Sequence, residues 1–163
     1  MNRVLKAMVL FFILTGITWQ AVAFSEADLQ KLKSSLKCPK CDLAGADLSG
    51  AKLAGANLTY ANLDKARLFR ANLAGAILTE ADLTGIDLGF ADLTGADLSG
   101  ANLIDAYMED TNLQDANLAG ADLTKAYLEA TDLTGANLTM ANLTGAFLER
   151  TNLQNADLTD AVL

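Results

Sequence analysis

The chain has 163 residues, with 12 Lys and Arg, 20 Asp and Glu, two Cys and no His. A net charge of −8 disfavours a phosphate backbone as partner, and the lack of His removes the commonest general base and metal ligand. The charge is uneven: residues 24 to 70 hold 8 basic and 5 acidic side chains, residues 71 to 163 hold 2 and 15, so the later part is expected to present an acidic surface.

Residues 1 to 23 carry Arg3 and Lys6, an apolar run from Ala7 to Ile17, and Ala21-Val22-Ala23. That order of basic, apolar and small residues reads as a secretory signal peptide cleaved after Ala23. The apolar run is too short to span a bilayer, which takes about twenty residues. Export is therefore expected, to the periplasm or, in a photosynthetic source, to the thylakoid lumen, with no membrane association after cleavage.

Residues 24 to 40 read as a capping helix and linker. Ser25 is placed to cap a short helix with Asp28 three residues on, and Leu29, Leu32 and Leu36 fall on one face, as a lid over an apolar core requires. Cys38-Pro39-Lys40-Cys41 follows. In an exported protein two Cys at this spacing predict a local disulfide between Cys38 and Cys41. The alternative is thiol-disulfide exchange, because C-P-x-C resembles thioredoxin-like sites. Those sites set the reactive Cys at a helix N-terminus, whereas here it follows the helix. Two Cys without His make a poor zinc site, so neither metal nor cofactor is expected.

From Cys41 to Leu163 one five-residue phrase recurs without insertion: A-D-L-S-G, A-K-L-A-G, A-N-L-T-Y, A-N-L-D-K. Its centre, position i, is Leu at every step from Leu43 to Leu163 except Met108. Position i−2 is Ala except at Cys41, Ile86, Thr111, Thr131 and Thr151. A period of five smears apolar residues around a helix and alternates them across a straight strand. If the chain bends once per phrase, i and i−2 can both face a common axis, which describes a solenoid. Gly recurs at i+2, as in Gly45, Gly50 and Gly95, where a corner can use φ > 0.

A slower rhythm sets the number of sides. Tyr107, Tyr127 and Phe147 recur every twenty residues, as do Glu109, Glu129 and Glu149, in the blocks Y-M-E-D-T, Y-L-E-A-T and F-L-E-R-T. Four phrases per coil follow, and about six coils at a strand spacing of roughly 4.8 Å. The tandem A-[DN]-L-x-x resembles the pentapeptide-repeat proteins, and the resemblance implies an all-β fold, a right-handed quadrilateral β-helix, over residues 41–163. Asp or Asn is usual at i−1 in that family. Lys52, Arg67, Ile77, Tyr107, Tyr127, Phe147 and Val162 depart from it and read as surface variation.

Catalysis finds no support, because no Ser or Cys stands beside a base and the carboxylates repeat on flat walls without a cleft. A non-enzymatic scaffold that binds a protein partner is the expected role. The alternative is an acidic mimic of a polyanion that captures a basic protein. The resemblance implies that some relatives act on DNA gyrase in this way, although export would separate this chain from gyrase. The candidate binding wall carries Tyr107, Tyr127 and Phe147 beside Glu109, Glu129 and Glu149. Nucleic acid is not an expected partner, and an uncapped last coil leaves a homodimer through that end open.

Overall fold

The structure is a computed structural model that describes residues 24–163; the expected signal peptide, 1–23, lies outside the described residues. One phrase, Ala81 to Gly85, shows why the chain coils. The Ala81 amide closes a turn onto Leu78 O at 3.0 Å, Asp82 N–H donates to Ala61 O in the coil below at 2.9 Å, and Leu83 and Gly85 donate to Asn102 O and Ile104 O in the coil above at 2.7 and 2.9 Å. The remaining amide, Thr84, donates to the Asp82 side chain at 3.2 Å. All five donors are satisfied, which a buried backbone demands.

The same pattern runs along the chain as parallel bridges between residues twenty apart, from Lys37 with Asn57 to Asn142 with Val162. The twenty-residue coil expected from the Tyr and Glu rhythm is therefore the pairing register. Each side is so short that a single i−1 residue bridges, so the walls are ladders of isolated bridges rather than extended strands. Corners sit at i+2, where φ is positive in every phrase, for Gly and non-Gly alike, from Lys40 at 59° to Asp160 at 60°. With the i to i+3 hydrogen bond and no positive φ at i+1, this is the backbone of a type II turn. Gly is comfortable there, and the side chains that replace it accept a left-handed conformation that costs roughly 1–2 kcal/mol.

Inward-facing side chains form one continuous core. Leu43 through Leu143 at position i are buried along with the Ala at i−2, except Ala51, which is half-buried, and burial of each Leu contributes about 1.5–3 kcal/mol. Threonine enters this core at Thr111 and Thr131 because each hydroxyl has a partner: Oγ1 donates to Leu88 O at 2.7 Å and to Met108 O at 2.6 Å. Thr151 repeats the contact with Leu128 O at 2.7 Å. In the last coil the inward residues Leu148, Leu153 and Leu158 are half-buried and Leu163 is 77% exposed, because no described residue stacks on them.

The other end is closed by α1, Glu26–Ser35. Ser25 Oγ accepts from Asp28 N–H at 3.2 Å, as its N-cap position requires. Leu29 and Leu32 are buried in the core cluster. Leu36 ends the helix with φ of 55° instead of extending its apolar face. Two bonds pin α1 to the first coil: Ser25 N–H to Asp42 O at 2.9 Å and Asp42 N–H to the Asp28 carboxylate at 3.0 Å.

One sequence expectation needs correction. Residues 36 to 40 do not link helix to solenoid; they form its first phrase. Lys37 bridges Asn57, Cys38 N–H donates to Asn57 O at 2.7 Å, and Cys38 is buried where later phrases place Leu. The i−1 position lies on the surface and also closes a turn. Its Asp or Asn oxygen accepts the i+1 amide, as Asp47 does from Ser49 at 3.1 Å and Asn137 from Thr139 at 3.0 Å, an Asx turn repeated through the stack.

Candidate functional site

One wall breaks this rule most often, at Arg67, Tyr107, Tyr127 and Phe147. On the side centred on Leu68, Leu88, Met108 and Leu128, the i−1 column reads Asp47, Arg67, Asp87, Tyr107, Tyr127, Phe147, and the i+1 column reads Ser49, Phe69, Gly89, Glu109, Glu129, Glu149. The bridges Tyr107 with Tyr127 and Tyr127 with Phe147 set the rings one above another. Their centroids lie 4.9 and 4.8 Å apart with interplanar angles of 4° and 11°. Tyr107 is 52% exposed and Phe147 46%, so the ladder expected from the sequence stands on the surface.

The neighbouring glutamates stack as well. Glu129 is pushed above its ordinary value, first by a hydrogen bond shared with Glu109, then by desolvation and the Glu109 charge, while Arg150 pulls it back. The carboxylates of the Asx turns move the other way. Asp132 is held below its ordinary value by the Thr134 hydroxyl, the Gln114 amide and the Thr134 N–H, and Asp157 likewise by Thr159. Two kinds of acidic surface thus share one molecule, one held ionised by its own turns and one where Glu109 biases Glu129 toward its protonated form.

Below the ladder lies a feature that the sequence reading missed. In the phrase Ile86-Asp87-Leu88-Gly89-Phe90, Gly stands at i+1 and Phe at the corner. Phe90 takes φ of 58° in a position where Gly would be unstrained, and it is 51% exposed. It packs edge-on against Phe69 at 5.6 Å. The Arg70 guanidinium lies over both rings, 5.2 and 5.6 Å from their centroids. An open hollow of about 410 Å3 lies between Phe69, Phe90 and Tyr107, lined also by Gly85 and Gly89, with Lys65, Arg67, Asp87 and Glu109 at its rim. Gly89 was the available signal, because every other phrase carries a side chain at i+1.

Cys38 and Cys41 are paired at disulfide distance, with Cα atoms 5.3 Å apart. Both are buried, 0% and 2% exposed, beneath α1, where Cys38 Sγ lies 3.2 Å from Asp28 O. Asp28, Cys38 and Cys41 come close enough to share a metal ion, but paired sulfurs supply no thiolate and leave one carboxylate as ligand.

The sequence matches the family described as Pentapeptide repeats over residues 40–75, 66–103, 76–115, 111–150 and 131–163, more than half of the chain. Among solved structures it is similar to HetL, a pentapeptide repeat protein involved in heterocyst differentiation regulation in the cyanobacterium Nostoc sp. strain PCC 7120, at 28% identity over 78% of this chain and 76% of that one, TM-score 0.48. A pentapeptide repeat protein of the Arabidopsis thaliana thylakoid lumen is 38% identical over 66% of this chain and 69% of that one, TM-score 0.40. Rfr23 of the cyanobacterium Cyanothece 51142 is 29% identical over 83% and 97%, TM-score 0.36. No curated protein matches the chain. With the family motif repeated through the ladder of twenty-residue coils, the chain belongs to the pentapeptide-repeat family, whose fold is the right-handed quadrilateral β-helix.

Proposed function

We propose that this protein is an exported, non-catalytic scaffold that binds a basic protein partner through the wall of Tyr107, Tyr127 and Phe147. The observation that carries this reading is the exposed, coplanar stack of rings beside a column of glutamates. Apolar ring faces supply contact area at little entropic cost, and adjacent carboxylates favour Lys or Arg on the other side. A cation placed there also favours the ionised form of Glu129, which the Glu109 hydrogen bond, desolvation and the Glu109 charge disfavour. The test is partner capture by the full chain and by a variant with Tyr107, Tyr127 and Phe147 all changed to Asn. Loss of capture with the coil intact supports the wall; undiminished capture moves the interface elsewhere.

Export rests on the leader pattern of residues 1–23 and on the paired cysteines. Protein taken from its native compartment is expected to weigh two hydrogens less, unreduced, than after reduction, and two freely alkylated thiols would remove that support. A second reading, an acidic polyanion mimic, is favoured by the charge of residues 71–163, with 2 basic and 15 acidic side chains. Salt separates the two: a mimic loses affinity steeply as salt rises, whereas ring-mediated docking loses less. A homodimer through the half-buried leucines of the last coil is a further proposal, which sedimentation of the full chain tests.

A further inference from the structure

The hollow below the ladder has an unequal rim. Lys65 and Arg67 are engaged within the chain, Lys65 Nζ with Asp64 at 3.1 Å and Arg67 with Asp47 at 3.5 Å. Asp87 and Glu109 meet no cation at ion-pair distance among the described residues. Those two carboxylates are therefore open to a cation from outside. The aromatic content asks for a flat one. The ring stack ends downward at Tyr107, whose bridge partner in the coil below is Asp87, a side chain too short to cover the ring. Arg70 already rests over Phe69 and Phe90 on this wall, so the local chemistry accommodates a guanidinium.

We infer that the hollow at Gly89 is an arginine-binding subsite, which takes the guanidinium of a partner protein against the Tyr107 ring and within reach of Asp87 and Glu109. This inference rests on the docking-wall reading and narrows it to one anchor residue. A planar guanidinium extends the ring stack by one rung and is more weakly hydrated than an ammonium, so arginine is preferred to lysine. Gly89 shapes the hollow by letting the Phe69 ring lie close against the backbone: its φ is not positive, and a Cβ there would meet Phe69 Cδ2 at 3.3 Å, so any larger side chain must displace that ring.

The experiment titrates the full 15N-labelled chain with N-acetyl-arginine methylamide, and separately with the neutral isostere N-acetyl-citrulline methylamide and with the phenylalanine analogue. The expected result is saturable movement of the Gly85 and Gly89 amide signals by the arginine probe. Its affinity should be at least about tenfold above citrulline, the loss of one charged hydrogen bond. Gly89→Thr, which installs the commonest i+1 residue of this chain, should displace the Phe69 ring and abolish the arginine-induced movement of the Gly85 amide while the chain keeps its folded spectrum. Equal affinity for citrulline, stronger binding of the phenylalanine probe, or unchanged arginine binding in Gly89→Thr overturns the subsite. A separate Tyr127→Asn, Phe147→Asn variant keeps the hollow and removes the upper wall. If that variant loses the captured partner while Gly89→Thr retains it, the docking wall stands and the arginine subsite falls. The reverse pattern leaves the subsite standing and removes the upper wall from the interface.

Discussion

Two sides of the same coils have taken opposite courses. On the side centred on Leu83, Leu103, Leu123 and Leu143, the i−1 column alternates Asp82, Asn102, Asp122, Asn142. Asn102 Nδ2 donates to Asp82 at 3.3 Å and to Thr84 at 2.9 Å, and Asn142 does the same to Asp122 at 3.2 Å and Thr124 at 2.9 Å. Each threonine hydroxyl in turn donates to its own aspartate, Thr84 to Asp82 at 2.6 Å. That wall spends its polar groups on itself. The wall of Tyr107, Tyr127 and Phe147 gives up the Asx bond at those three positions, adds ring stacking to its backbone ladder, and biases Glu129 toward protonation through Glu109. The difference teaches that the regular motif is the structural part of the sequence and that departures from it are where recognition by another molecule can be written.

Substitution of the core sharpens this contrast most strongly. Leu123→Ala under the self-bonded wall and Leu128→Ala under the aromatic wall remove equally buried side chains, and each is expected to cost about 2–5 kcal/mol in urea unfolding. Similar losses would show that the walls differ only on their outer faces; a much smaller loss at Leu128 would mean that the aromatic wall has a looser core.

Next in size is the polar ladder. Asp122→Ala removes the acceptor of the Thr124 amide, the Thr124 hydroxyl and the Asn142 amide, and about 1–3 kcal/mol is expected from the unsatisfied groups. Tyr127→Asn is expected to cost less. It loses two ring contacts, worth about 0.5–1.5 kcal/mol each, and it gains a side chain able to accept the Glu129 amide. A net loss at Tyr127 above that at Asp122 would break the comparison, making the rings the stronger spine.

The smallest effect is a matter of pH. Glu129 has a raised value in the fold, so its contribution favours the folded state at low pH and is lost as pH rises through the folded value. Asp132 and Asp157 are lowered, so theirs is present at neutral pH and lost as pH falls through the folded values. Glu109→Gln is therefore expected to raise the thermal midpoint slightly at neutral pH and to leave it little changed in acid. An equal rise in acid would assign the effect to something other than repulsion between Glu109 and Glu129.

Much of this architecture can be read from residues 41–163, because register, inward face and number of sides are all periodic properties, and periodicity survives substitution of single residues. The first phrase escaped for the converse reason: Cys38 is buried as well as Leu is, yet shares none of its side chain, and one phrase has no rhythm of its own. The part played by i−1 escaped because its partner is a backbone amide, which leaves no mark on residue identity. The ladder was legible from Tyr107, Tyr127 and Phe147 at equal spacing, but the hollow beside it is marked by Gly89 at i+1, a single event that no periodic reading weighs.

The offset of twenty residues between bridged partners also limits how such a chain can grow. Gain or loss of one five-residue phrase leaves the core pattern intact but turns every later side chain to the adjacent side. A single-phrase deletion between Asp110 and Tyr127 would carry Tyr127 and Phe147 off the column of Tyr107 and scatter the rings over two faces. Gain or loss of a whole coil lengthens or shortens each column and leaves it straight. Duplication in steps of twenty residues is thus the path along which a wall can extend its pattern of contacts, and the three blocks that begin at Tyr107, Tyr127 and Phe147 have the spacing such a history would leave.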